Sequence, residues 1–236
     1  MAVGLAALRR EWDERFGRSE PGKIICVGLN YRDHAEEQGV DLPEEPLLFG
    51  KFGNALCGPD DAIVLPREAE HVDAEAELAV VLGVRGRRIR PAEALDAVSG
   101  YTCANDVSAR NLQFKDGQWL RGKSFDTFCP LGPRLVSKDE LGDAGDLRIV
   151  QRLNGEPLQD SRTSELIFGV RELVAHASTV FTLEPGDLIL TGTPSGVGIF
   201  RKPPIGLKAG DQVEIEIEGI GALRNPVVGE DRSAAG

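Results

Sequence analysis

The chain has 236 residues, 41% of them hydrophobic, which is enough for one large β-rich domain with a substantial core. Its 27 basic and 38 acidic residues give a formal charge of −11. That balance argues against nucleic acid or an anionic membrane as the main partner, so a small ligand is expected, with local Arg, Lys or a metal reversing the field if the ligand is an anion.

Residues 1–17 read as an amphipathic helix whose apolar stretch, broken by Arg9, Arg10 and Glu11, is too brief and charged for a signal peptide or membrane span. Cys26, Cys57, Cys103 and Cys129 are widely spaced, with no CxxC and no histidine cluster. Neither a zinc site nor a disulfide framework is suggested, and a reducing cytosol fits. Residues 23–29 are predicted to be a buried strand, and 30–39 a loop and short helix stopped by Gly39. His34 and Glu37, at i and i+3, share a helix face, where a carboxylate can orient an imidazole as a general base. The same spacing also suits two solvated surface residues. With the proline- and acid-rich loop 41–46, this segment forms a candidate lid over a site.

A strand at 62–65 is followed by His71-Val72-Asp73-Ala74-Glu75-Ala76-Glu77-Leu78, where acidic and apolar residues alternate before an aliphatic run. Period-two geometry sends Asp73, Glu75 and Glu77 to one face of a strand. Their mutual repulsion requires water, a raised pKa, basic partners or a cation, and oxygen-only donors favour a hard divalent ion. A solvated edge strand is the alternative. A helix at 91–98 begins at Pro91; a strand at 101–104 ends in Asn105 and Asp106, with Arg110 four residues on. Residues 113–130 read as an irregular loop carrying Lys123, Ser124 and Asp126. Asn154-Gly155 between extended segments predicts a type I′ hairpin. A helix at 170–179 buries Leu173, Val174 and Ala177, and His176 is packing or surface. The strand 187–191 leads into a glycine-rich turn at 192–198 whose spacing is neither GxGxxG nor a P-loop. The final hairpin, 213–217 with 222–224, carries Glu214, Glu216 and Glu218, a second acidic alternation that warns against reading every such strand as a metal site.

Five blocks in order resemble the fumarylacetoacetate hydrolase family: GLNYRDH at 28–34, DAEAELAVV at 73–81, NDVSAR at 105–110, GKSFDTFCPLGP at 122–133 and LTGTPSGVG at 190–198. The match spans 23–228. It leaves 1–22 as an N-terminal helix and extension, too short for a separate domain, and 229–236 as a disordered tail. The resemblance implies a mainly β chain with a few short helices, a mixed β-sandwich or β-roll of that family's C-terminal-domain type. It also implies a homodimer and a divalent ion at the mouth of the fold, Mg²⁺ or Mn²⁺, with Ca²⁺ a third candidate. Carried over by position, Glu75, Glu77 and Asp106 are metal ligands with Asp73 their neighbour. His34 and Glu37 match the dyad of the acylpyruvate hydrolase branch, Lys123 the active-site lysine, and Arg110, Gln113 and Thr193 substrate-contacting positions. Lys51 aligns as well, but the residues around it depart from the Lys-Pro-Ser type of many relatives, which leaves substrate size open.

The expected function is a metal-dependent hydrolase that cleaves a C–C bond in an acylpyruvate-like β-diketo acid through a pyruvate enolate. His34, supported by Glu37, would take a proton from water while Lys123 steadies the oxyanion. Alternatives through the same enolate are a 2-hydroxyhepta-2,4-diene-1,7-dioate or 5-carboxymethyl-2-hydroxymuconate delta-isomerase of aromatic catabolism, and an oxaloacetate decarboxylase. A metal-stabilised binding domain is the non-enzyme reading, against which His34, Glu37 and Lys123 stand together. The expected setting is cytoplasmic, with a small keto acid or dicarboxylate as substrate and neither nucleic acid nor membrane as partner.

Overall fold

The structure, a computed structural model, describes residues 4–231. Seven strands form the larger sheet in the order Leu47–Lys51, Ile24–Gly28, Leu188–Leu190, Ala76–Leu82, Val98–Asn105, Cys129–Ser137 and Leu56–Cys57. Five form the second, in the order Glu156–Arg162, Arg148–Leu153, Gln212–Ile217, Gly221–Gly229 and Ile63–Leu65. The larger sheet is mixed, with Ile24–Gly28 parallel to Leu188–Leu190 and Ala76–Leu82 antiparallel to both of its neighbours. Residues from the two sheets share one hydrophobic core, and the helices are few and short, so the chain is mainly β as expected. No helix among the described residues is long and apolar enough to cross a membrane.

Burial separates two strands that look alike in sequence. Every residue of Ala76–Leu82 is buried, so this strand is covered on both faces. In Gln212–Ile217 only Val213, Ile215 and Ile217 are buried. The intervening Glu214 and Glu216 turn outward and pair with Arg152 and Arg224, an ordinary half-solvated antiparallel strand.

The hairpin at Asn154-Gly155 forms with positive φ at both residues, 54° and 88°, as a type I′ turn needs. The 3₁₀ segment Pro91–Ala97 starts at its proline, and the helix Val170–Val180 buries Leu173, Val174 and Ala177. The N-terminal helix Leu5–Phe16 buries Leu8 and Trp12, whose indole N–H donates to the Gly186 carbonyl at 3.0 Å.

Three expectations change. Residues 73–81 are not one strand: Val72–Asp73 pairs with Ser108–Ala109 in a separate ladder, and the chain breaks at Ala74 and Glu75 before Ala76–Leu82 begins. Within the supposed loop 113–130, Leu120–Lys123 is a helical turn that follows the turn Arg110–Gln113. The expected disorder does not start at 229, because Gly229 closes a strand paired with Leu65 and the Glu230 amide donates to the Leu65 carbonyl at 3.1 Å. The remainder of that tail, 232–236, lies outside the described residues.

All four cysteines are buried free thiols, and burial pushes Cys103 and Cys129 up to about 12. They are poor nucleophiles in the folded protein.

Asp187 ties the start of the first core strand to the turn before Leu188–Leu190. Its buried carboxylate accepts from the Lys23 amide at 3.0 Å, the Lys23 ammonium at 2.6 Å and the Glu184 amide at 2.9 Å. Asp187→Ala orphans both backbone donors, so urea denaturation is expected to show a loss of about 2–4 kcal/mol. A loss below about 1 kcal/mol would mean that water replaces the carboxylate.

Candidate active site

Two adjacent strands of the large sheet converge on one acidic centre. Glu77 pairs with Ala104 and Ala76 with Asn105. The contact then continues past the strand ends, where the Asp106 amide donates to the Glu75 carbonyl at 3.0 Å. This register gathers Glu75, Glu77 and Asp106, and one carboxylate oxygen from each lies within 4.8 Å of the others. All three side chains are buried.

Three buried cations surround the trio. The Lys123 ammonium donates to Glu75 Oε2 and Asp106 Oδ2, both at 2.6 Å. Arg110 donates to Glu75 Oε1 at 2.5 Å, to Asp73 Oδ2 at 3.2 Å and to Gln113 Oε1 at 2.8 Å. Lys51 donates to Asp106 Oδ1 and, at 3.1 Å, to the Val107 carbonyl. The helical turn Leu120–Lys123 aims Lys123 inward, and Phe49, 5.3 Å below the ammonium, packs edge-on against Trp119.

The carboxylates are not equivalent. Burial opposes charge on Glu75, but Arg110 and Lys123 more than offset it and hold this carboxyl well below the usual range. Burial, reinforced by Asp106 and Glu75, pushes Glu77 well above it. Among the described residues Glu77 has no cationic partner, and its one hydrogen bond is from the Gly192 amide at 2.8 Å. An all-oxygen set with one under-compensated buried carboxylate fits a hard divalent cation better than zinc. The donor chemistry therefore fits the expected metal.

Asp73 departs from the other three because of the break at Ala74. Its oxygens accept from the Gly198 and Ile199 amides at 3.0 and 2.8 Å. The 3₁₀ turn Gly198–Phe200 is thereby held in place, and Phe200 lies edge-on to the His34 ring at 5.6 Å between centroids.

His34 and Glu37 lie on the helix Arg32–Gln38, and His34 Nδ1 is 2.9 Å from Glu37 Oε2. The other Glu37 oxygen accepts from the Gly196 amide at 2.9 Å. Thr193 is fixed by Gln159, whose amide donates to Thr193 Oγ1 and the Pro194 carbonyl, both at 2.7 Å. His34, Glu75, Glu77, Asp106, Arg110, Gln113, Lys123 and Thr193 all line one cavity of ≈ 290 Å³. Lys51 and Glu37 are not in its wall and reach it through Asp106 and His34.

Sequence reasoning missed Gln38, Phe200 and Gln159. Gln38, one turn beyond His34, could have been found from its i+4 spacing. Gln159 sits in a hairpin that looks purely structural, and no local signal ties it to Thr193.

The candidate lid divides. Asp33 accepts from the Ser161 hydroxyl at 2.7 Å and the Ser195 amide at 3.3 Å, which together with Glu37 pins the helix. Beyond it, Val40 and Leu42 are exposed. Hydrogen exchange is expected to slow at 40–46 on adding oxalate with Mg²⁺, while 31–39 is already slow. Equal exchange at 40–46 in both states would refute closure there.

The family model "Fumarylacetoacetate (FAA) hydrolase C-terminal" matches residues 23–228. The chain is 53% identical over 212 residues to the mitochondrial oxaloacetate tautomerase FAHD2A of Bos taurus, covering 89% of this chain and 68% of that protein. It is 54% identical over 212 residues to the mitochondrial oxaloacetate tautomerase fahd2 of Xenopus laevis, covering 89% and 66%. It thus spans about two thirds of the length of these relatives. Among solved structures, 5-carboxymethyl-2-hydroxymuconate delta-isomerase from Mycobacterium smegmatis superposes with TM-score 0.81 at 47% identity, covering 90% of this chain and 80% of that one. The 2-hydroxyhepta-2,4-diene-1,7-dioate isomerase from Mycobacterium marinum gives 0.80 at 44%, covering 90% and 76%. The mitochondrial names of the two tautomerases overturn the cytoplasmic expectation. Its basis was free thiols, which any reducing compartment preserves.

Proposed function

Since the chain belongs to the fumarylacetoacetate hydrolase family of enzymes, we propose that it interconverts the enol and keto forms of a small keto dicarboxylate of the oxaloacetate type, with Mg²⁺ or Mn²⁺ bound by Glu75, Glu77 and Asp106. The observation that carries this reading is the placement of that buried trio, with Lys123 and Arg110, beside the His34–Glu37 pair in one small cavity. A bound divalent ion would supply Lewis-acid stabilisation of enolate charge. The names of the relatives, tautomerases and isomerases, favour a proton shift over the acylpyruvate hydrolysis expected from sequence.

In this reading each residue has a distinct task. Lys123 and Arg110 attract the anionic substrate, and Gln113 holds the Arg110 guanidinium in place. Thr193, oriented by Gln159, offers its hydroxyl to a substrate carboxylate. His34, with Nδ1 engaged by Glu37, presents Nε2 as the group that moves the proton between carbon and oxygen. Phe200 and Trp119 shield the site from bulk water. Lys51 keeps Asp106 in place and stays behind the reacting atoms. The homodimer is part of the same proposal, and sedimentation measures it directly.

The test follows decay of the oxaloacetate enol absorbance with Mg²⁺ or Mn²⁺, above the rate of the metal alone, and again after chelation. Acceleration that chelation removes supports the reading. Turnover of acylpyruvates without any effect on oxaloacetate would overturn it in favour of hydrolysis.

A further inference from the structure

Resting on the proposed isomerisation, we propose that Gln38 acts as a positioning residue that keeps hydrolytic water away from His34 and so turns the site from hydrolysis to proton transfer. Gln38 is the last residue of the helix that carries His34, and its side chain folds back one turn. Gln38 Nε2 lies 2.9 Å from His34 Nε2. With Nδ1 donating to the Glu37 carboxylate, Nε2 is the acceptor of the ring, and it receives the Gln38 amide N–H.

A hydrolytic base needs that same lone pair. In hydrolysis a water proton passes to Nε2 while the water oxygen bonds to the distal carbonyl carbon. The C–C bond then breaks with its electron pair left on the pyruvate carbon, which takes the proton back from Nε2. The amide of Gln38 occupies the place where that water must hydrogen-bond. The ring is otherwise buried, with Phe200 5.6 Å from it between centroids, so water reaches Nε2 through the cavity that Gln38 also lines.

Substrate and water differ in their ability to displace the amide. A water gains one bond to the imidazole and must compete with an amide tethered one helical turn away. A substrate that fills the cavity pushes the amide aside bodily. Gln38 can yield, since it is exposed and its hydrogen bond to His34 is its only one among the described residues.

The experiment compares wild type, Gln38→Ala and Gln38→Met in the Mg²⁺-loaded full chain. Three quantities are read: enol–keto conversion of oxaloacetate, hydrolysis of acetylpyruvate, and the ¹⁵N shift of His34 Nε2. Gln38→Ala opens the place to water, and the ratio of hydrolysis to isomerisation is expected to rise about tenfold or more, with the roughly 10²–10⁴-fold contribution of a general base as its ceiling. Gln38→Met keeps the bulk but has no donor, so the ratio stays near wild type while the ¹⁵N shift moves, as it does in Gln38→Ala. A purely structural role would not separate the two variants. An unchanged ratio in Gln38→Ala, or an unmoved ¹⁵N shift in both variants, overturns the proposal. If wild type fails to convert oxaloacetate, the proposed function falls by itself. Acetylpyruvate hydrolysis then decides the role of Gln38, which stands only if Gln38→Ala hydrolyses faster than wild type.

Discussion

Glu77→Gln is expected to abolish Mn²⁺ binding in calorimetry and to cut metal-dependent turnover by about three powers of ten, the several kcal/mol that a Lewis acid contributes. The protein itself should fold as before. Glu77 lies in a strand covered on both faces, and its hydrogen bond from the Gly192 amide can be accepted equally well by a carboxamide oxygen. Among the described residues no cation hydrogen-bonds to it, and Lys123 acts on it only at longer range, so removing its charge relieves repulsion from Asp106 and Glu75 without breaking an ion pair. Metal-free stability should therefore hold or rise. Glu75→Gln would be the opposite case, because Glu75 is held by both Arg110 and Lys123, and losing its charge leaves Lys123 with Asp106 and Arg110 with Asp73 as their remaining anionic partners. Unchanged Mn²⁺ affinity in Glu77→Gln would remove this residue from the ligand set. A metal-free protein weaker by more than about 1 kcal/mol would refute the electrostatic account.

The second large effect concerns the proton. His34→Ala should slow oxaloacetate enol–keto conversion by roughly two to four powers of ten, the span associated with a positioned base. Decarboxylation of oxaloacetate should fall much less, since loss of carbon dioxide leaves the enolate without any base having acted. Lys123→Ala should damage both reactions, because Lys123 bridges Glu75 and Asp106 and organises the acidic centre on which both depend. Stopped-flow absorbance for the first reaction and carbon dioxide release for the second separate the two effects. Equal losses in His34→Ala would make the imidazole a support for the helix Arg32–Gln38, and proton transfer would have to be assigned to another group.

Local patterns in the sequence determined a good deal about this protein. Period-two alternation marks Gln212–Ile217, the pair Asn154-Gly155 sets a hairpin, and Pro91 marks the start of the helix expected at 91–98, which the structure makes a 3₁₀ segment, because each depends on φ, ψ and burial within a few residues. The five family blocks carry the mainly β fold and the residues that converge on the cavity. Tertiary structure alone decided that two similar acidic alternations have opposite fates. Glu214 and Glu216 face water and arginines, whereas Glu77 is 1% exposed in a strand packed on both sides. It also decided that the chain breaks at Ala74, which sends Asp73 to the amides of Gly198 and Ile199 instead of to the acidic trio. Lys123, in a stretch with no periodicity, becomes a buried bridge only because Glu75 and Asp106 meet it from the ends of two adjacent strands, Ala76–Leu82 and Val98–Asn105. Spacing along a chain encodes which residues share a face, and the charge on a carboxylate depends on what is packed against that face from elsewhere.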